Sequence, residues 1–436
     1  MLKVLDIRLI TIIWSLSLLV IYFSISISYK LQNIAKQYLW RMTLQFNRES
    51  NSSILLAGIL ALVVGVGVAR FVFTSLLPAM LEDSINIGFA GVLASINYLG
   101  YLSGSVFSIF IKDIHSKVKY FRFGLLLCVV SSFVLGITEN STLWIIARLF
   151  AGFGAAMALV VGSAVVMLKL KSTNKTKAMG IHFSGLGFSI LITDLVMRGV
   201  FYYGGDWRDA WLILAIMGAF LSCYSVYILR FDKHPKHEVV KHKFDQSLFS
   251  PMVIILILAY FTEGVGMVVQ ATFLPDIVNS LDGLNGYGGY VWLAVGLAGI
   301  PSCIIWMRLA VSFGSINIMI VAMLLQIVGI LIPTFSSNII INLISGLLFG
   351  ATFIGLVALF MNFGGQLSHK NPVLIMGAIT SAYGVGQIIA PLYSVALIEH
   401  FNSYSYPLYL TALIVAIGVF MLTYAKVNFR EASSTK

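Results

Sequence analysis

Charge is the scarcest property of this sequence. Asp, Glu, Lys and Arg make up 10% of its 436 residues while 59% are hydrophobic, and a soluble domain carries about 25% charged residues. That balance excludes an ordinary water-soluble globular chain. Cysteine is almost absent too. Cys128, Cys223 and Cys303 are the whole complement; each lies inside an apolar run, and they have neither zinc-site spacing nor the number for a disulfide framework. They are expected to be small buried packing residues. No P-loop, HExxH, GxSxG or paired-cysteine pattern occurs in the chain, so it shows no machinery for ATP hydrolysis, metal-assisted hydrolysis or covalent catalysis.

What is present is a succession of apolar runs of about 20 residues, the length that spans a bilayer core as a helix. The runs are continuous rather than alternating, which argues against a transmembrane barrel. Spans are expected near 54–80, 89–111, 121–138, 143–168, 179–203, 209–229, 251–275, 289–310, 317–335, 339–362, 374–398 and 407–425, making an all-α membrane protein of twelve transmembrane helices. The formal net charge of +11 is distributed accordingly. Basic residues cluster before the first span (Lys30, Lys36, Arg41, Arg48) and in alternate connections: Lys112, Lys117, Lys119 and Arg122; Lys169, Lys171, Lys175 and Lys177; Arg230, Lys233, Lys236, Lys241 and Lys243; Arg308; Lys370; and the tail. The opposite connections carry only Arg208. The positive-inside rule then places both ends of the twelve-helix body, the C-terminus included, in the cytoplasm. Membrane lipid headgroups are the expected partners of this charge; nucleic acid is not.

Residues 9–29, "LITIIWSLSLLVIYFSISISY", are long enough to form one extra N-terminal helix, which would put residue 1 on the opposite side. A translation start at Met42 would remove the run instead, and no small-residue cleavage site follows it. The longest hydrophilic connection, "RFDKHPKHEVVKHKFDQS" (230–247), divides the body into six helices and six. Its His234, His237 and His242 sit among lysines around Pro235 and read as a solvated linker, not a metal site. The expected organisation is an extension over 1–50, an N-terminal half over 51–230, a cytoplasmic linker over 231–250, a C-terminal half over 251–426 and a tail over 427–436. The halves repeat each other. "SLLPAML" (75–81) aligns with "TFLPDIV" (272–278), and "MGIHFSGLGFSILITDL" (179–195) aligns with "MGAITSAYGVGQIIAPL" (376–392), both at an offset of 197. Two separate windows sharing one offset point to a duplicated six-helix unit.

Twelve helices, two parallel halves and a basic central loop resemble the major facilitator superfamily. "RLFAGFGAA" (148–156) is similar to that superfamily's helix-4 signature. "GVGVARFVFTSLLPAM", "ASINYLGYLSG", "GGDWRDAW", "AYFTEGVGMVVQATFLP" and "GQIIAP", in this order over roughly 52–425, resemble its YbfB/YjiJ-type branch. Two departures stand out. The loop "IKDIHSKVKYFR" lacks the Gly-Arg-Arg core of the usual gating motif, and helix 5 carries Asp194 where an antiporter motif would carry Gly-Pro. The resemblance implies that helices 1, 4, 7 and 10 line a central cavity. It also implies a bacterial inner-membrane location.

Charges inside the spans are costly there and default to functional hypotheses. Arg70 stands about 16 residues, roughly 24 Å, into the first span. A guanidinium keeps its charge in proteins, so Arg70 is either an anchor for an anionic substrate or a structural lock on helix 1. Glu263, in the repeat partner helix, is either a proton carrier or a static counter-ion to Arg70. Asp194 and Arg198 lie four apart on one helix face and neutralise each other in the simplest reading; proton coupling for Asp194 and gating for Arg198 are the functional alternatives. Arg148 enters helix 4 near its outer end, as a proton-coupling or gating residue by resemblance or as a side chain snorkelling to the interface. Gln270, Gln387 and Tyr98 are candidate substrate contacts. Asn97, Gln326, Asn362 and Gln366 are weaker ones, more often interhelical hydrogen bonds, and Tyr98, Phe73, Tyr260 and Tyr383 are aromatics that either wall a pocket or, as most aromatics in such helices do, simply pack or join the interface belts.

These features predict a monomeric secondary transporter and not an enzyme. It would carry a small organic solute, anionic if Arg70 is its anchor, by alternating access, coupled to protons and leaning to efflux, with no cofactor. A lipid-acting membrane enzyme is the first rival; only "GDWRD" offers it clustered acids, and Asp206 and Asp209 there are expected to cap the turn between helices 5 and 6. A non-transporting receptor on the same fold is the second.

Overall fold

The computed structural model describes residues 50–111, 113–171, 175–231, 250–367 and 372–429. The apolar run at 9–29, the linker histidines and the end of the tail lie outside the described residues. Twelve helices long and apolar enough to cross a membrane occur among them. In chain order these are α1 (Asn51–Asp83), α2 (Ile87–Ile109), α3 (Ile114–Ile137), α4 (Ser141–Lys169), α5 (Lys175–Tyr202), α6 (Trp207–Ile228), α7 (Pro251–Asn279), α8 (Gly288–Phe313), α9 (Ser315–Phe335), α10 (Ile339–Gln366), α11 (Pro372–Phe401) and α12 (Ser405–Asn428). Each answers one predicted span.

The short polar turns supply the caps. The side chains of Asn86 and Asp113 accept hydrogen bonds from the amides of Phe89 and Ser116, each at 2.8 Å, satisfying donors at the starts of α2 and α3. The added charge of the Asp113 carboxyl is stabilised by its bonds to Ser116, which hold it below the usual carboxylate range. Asp206 and Asp209 form a reciprocal capping box at the start of α6, as expected for "GDWRD".

The two halves match helix for helix. Counterparts begin between 197 residues apart (Lys175 and Pro372) and 201 residues apart (Ile87 and Gly288). The packing obeys the same exchange. Within the halves α2 packs on α4 as α8 packs on α10, and α3 on α6 as α9 on α12. Across the seam α5 packs on α8 as α11 packs on α2. Glycine makes the closest of these approaches feasible. A Cβ on Gly187 of α5 would fall 2.3 Å from the amide nitrogen of Ile300 in α8, and one on Gly264 of α7 would fall 2.2 Å from the carbonyl of Tyr383 in α11. Small residues at such crossings let helices pack where lipid supplies no hydrophobic drive.

At the crossing of α1 and α7, Pro275 has no N–H for the carbonyl of Ala271, one turn earlier. The hydroxyl of Thr74 donates to that carbonyl instead. Donor and acceptor are 197 residues apart, the repeat offset itself.

Two apolar cores result. One runs through the C-terminal half and across the seam into the far parts of α1 and α2, with Phe71, Phe73, Leu76 and Leu93 among its members. The other, built on Ile54, Ala61, Phe121, Val165 and Ile228, belongs to the N-terminal half alone and sits toward the Asn51 end. At that same end Ser184, Met361, Asn362, Thr380 and Ser381 are only half-buried. The apolar seal between the halves thus lies toward the far end. One expectation needs correction: Cys128 and Cys303 are buried, but Cys223 is exposed on the outer face of α6.

Candidate functional site

The local anomaly of α1 organises the site. Residues Val63–Phe71 form a π-helical turn, in which the Val72 amide bonds the Gly67 carbonyl five residues back. A second π-turn, Met157–Val161, lies in α4. Gly65 brings the two together, since a Cβ there would fall 2.4 Å from the Ala158 Cβ. Such bulges expose backbone carbonyls to side chains and concentrate at functional sites. Here the Ala69 carbonyl accepts from Asn97 Nδ2 at 3.3 Å and from Arg148 Nη1 at 3.2 Å.

Arg148 is fully engaged in this junction. Its Nε donates to the Leu93 carbonyl at 3.2 Å, and its guanidinium lies 4.5 Å from the Phe73 ring centre. At 2% exposure it does not snorkel. It fastens α4 to α1 and α2, and Asn97 reinforces the joint by donating to the Arg148 carbonyl at 3.0 Å.

Arg70, the next residue after Ala69, behaves differently. It is 7% exposed, forms no ion pair, and its Nε and Nη2 have no hydrogen-bond partner among the described residues. Its guanidinium carbon lies 4.4 Å from the ring centre of Tyr101 and 4.9 Å from that of Tyr98, both on α2. The opposing wall comes from the other half. Tyr260 of α7 stacks between Tyr383 of α11, at 4.4 Å, and Phe360 of α10, at 4.5 Å. Tyr383 lies within electrostatic range of Arg70, Tyr98 and Tyr101, which ties the two walls into one cluster. The hydroxyls of Tyr98, Tyr260 and Tyr383 make no hydrogen bond among the described residues, leaving donors and acceptors around an unpaired cation. Gln387 sits one turn along α11 from Tyr383; its amide nitrogen reaches only the Met267 sulfur, at 3.7 Å, and its carbonyl oxygen is unpartnered.

Other sequence candidates are placed elsewhere. Glu263 is completely buried, but its carboxylate accepts from Gln326 of α9 at 3.1 Å and makes no ion pair with Arg70. The counter-ion reading is therefore corrected: Glu263 is directed into the packing of α7 and α9. Gln270 is likewise bonded inside the C-terminal half, its Nε2 donating to the Gly329 carbonyl at 3.2 Å and to Ser345 Oγ at 3.3 Å, while its carbonyl oxygen is unpartnered among the described residues. Asp194 and Arg198 form the expected pair at 2.7 Å, and Arg198 also lies 4.5 Å from the ring centre of Tyr290 on α8. Asn362 is half-buried and Gln366 exposed at the Asn51 end. Sequence reasoning missed Tyr101, although it follows Tyr98 by three residues, and Phe360. It also passed over His182, buried in α5 with its Nε2 2.8 Å from Ser163 Oγ of α4.

Residues 62–423 match the family model described as "Uncharacterised MFS-type transporter YbfB". The chain belongs to this family. It is also similar to "Multidrug efflux pump SdrM" of Staphylococcus aureus (strain N315), 27% identical over 158 residues. That match covers 36% of this chain and spans about a third, 35%, of the relative's length. The crystal structure of a point mutant of the nucleoside transporter NupG superposes with a TM-score of 0.67 at 12% identity, over 86% of this chain and 99% of that one. This likeness establishes the fold: a multi-pass membrane protein of the MFS type, and not an enzyme fold.

Proposed function

We propose that this MFS_4 family member is a secondary transporter of a small organic solute, which binds at Arg70 between the two halves. The observation that carries the reading is a buried cation at the seam whose Nε and Nη2 are unpartnered. Burying a charge without a partner is expensive, so a cation left this way is best explained by a partner that comes and goes. Tyr98 and Tyr101 lie against it, Tyr383 of the other half lies within electrostatic range, and the half-buried polar residues on α5, α10 and α11 offer a route from the Asn51 end. By the distribution of Lys and Arg that end is cytoplasmic, in a bacterial inner membrane, and loading from the cytoplasm suits efflux. Glu263 is the proposed proton carrier. Its carboxylate is half-satisfied, with Oε2 unpartnered, and it lies within electrostatic range of Tyr260 and Tyr383, so it senses the site without occupying it.

The test separates coupling from translocation in proteoliposomes. Glu263→Gln should lose accumulation driven by a pH gradient and keep solute counterflow at about the wild-type rate. Arg70→Gln should lose both. If Glu263→Gln still accumulates solute against its gradient, the proton role is wrong. If Arg70→Gln still exchanges solute, the site is wrong.

A further inference from the structure

We infer that the Arg70 site takes an aromatic monocarboxylate, a planar anion carrying no ammonium group. This rests on the transport reading above and specifies its solute.

The shape of the free edge comes first. Nε and Nη2 form the side of a guanidinium whose two N–H bonds run parallel and match the two oxygens of one carboxylate. Both atoms are buried and unpartnered. The rings of Tyr98 and Tyr101 pack against the group, so the ligand meets it edge-on.

Charge comes second. The neighbouring buried arginine, Arg148, is already bonded to the carbonyls of Leu93 and Ala69, and Arg198 is paired with Asp194. One free fork answers one negative charge, and a phosphate dianion would bring a second that nothing balances. No carboxylate pairs with Arg70: Glu263 is bonded to Gln326 and Asp194 to Arg198, so the ammonium of an amino acid would find no counter-charge at the fork.

The walls come third. Tyr260 is stacked between Tyr383 and Phe360, and Tyr383 is the member of the stack within electrostatic range of Arg70. The aromatic body of a carboxylate held by Arg70 would meet this stack, and aromatic pairs gain beyond simple burial.

Benzoate is the probe, and the full purified chain in detergent is the sample. Thermal stabilisation and titration calorimetry are compared for benzoate, acetate, benzyl alcohol, phenylalanine and phenyl phosphate. Benzoate should bind at least about tenfold tighter than benzyl alcohol, which lacks the charge-assisted pair. It should also exceed acetate, phenylalanine and phenyl phosphate. Arg70→Lys keeps a cation but not the fork, and should weaken benzoate by about tenfold or more. Tyr383→Leu should bring benzoate and acetate closer together. No benzoate binding by the wild type overturns the inference, and so does equal binding of benzyl alcohol, acetate or phenylalanine, or tighter binding of phenyl phosphate. The ranking on the wild type decides even where a variant fails to fold. Benzoate binding without counterflow in vesicles would overturn the transport reading and leave the site. Counterflow of another solute by a chain that ignores benzoate would do the reverse.

Discussion

Arg70 and Arg148 look alike on paper: each is a lone cation in an apolar helix next to glycine-rich sequence. What separates them is whether backbone carbonyls reach them. Arg148 is bonded to Leu93 and Ala69, so its loss removes two charge-assisted bonds, each worth about 1.5–3 kcal/mol. Arg148→Lys cannot span both carbonyls and should lower the thermal stability of the purified protein by that order. Arg70→Lys, which breaks no hydrogen bond of Nε or Nη2, should melt within about 0.5 kcal/mol of wild type. Equal losses in the two variants would mean that Arg70 is also structural. The distinction was not legible in the sequence, because it depends on a π-turn that exposes one carbonyl to two side chains. Periodicity and composition carry no trace of a turn with five-residue steps. The Asp194–Arg198 pair was legible, because four-residue spacing on one helix fixes its geometry locally.

At the scale of the helices, the crossing of α1 and α7 shows how a repeat becomes a joint. The paired prolines, Pro78 and Pro275, are visible in the aligned windows. The hydroxyl that substitutes for the missing N–H of Pro275 is not, because Thr74 lies just outside the aligned window and nothing local names its acceptor. Thr74→Val keeps the volume and removes the bond to Ala271, leaving that carbonyl unsatisfied twice over. In a bilayer no water repairs the loss. The substitution should cost about 1–3 kcal/mol in thermal unfolding, and Thr74→Ser should restore most of it. Full stability in Thr74→Val would show that the crossing is held by packing alone. If the bond must break when the halves rock, Thr74→Val should also shift the population away from the form sealed at the far end.

Across the whole molecule, the twelve spans and the duplication followed from run length and a single offset, because bilayer thickness and a gene-scale repeat both write themselves into the linear chain. The side on which the seam is sealed did not, because both ends of each helix are similarly apolar. The geometry supplies a direct test of that seal. On α2 and α11, near the far end, a Cβ placed on Gly91 would lie 3.4 Å from the Cβ of Val395, close to the separation of about 3.5–4.5 Å that a disulfide needs. Gly91→Cys combined with Val395→Cys should therefore cross-link readily on oxidation, while the Gly91→Cys single variant should not. If transport requires the far end to part, the cross-linked protein should lose solute exchange and regain it on reduction. Its binding site should stay accessible from the Asn51 end, so ligand-induced stabilisation should survive the cross-link. Loss of binding together with exchange would place the entrance at the far end instead, and undiminished exchange in the fully cross-linked protein would show that these helices do not separate there.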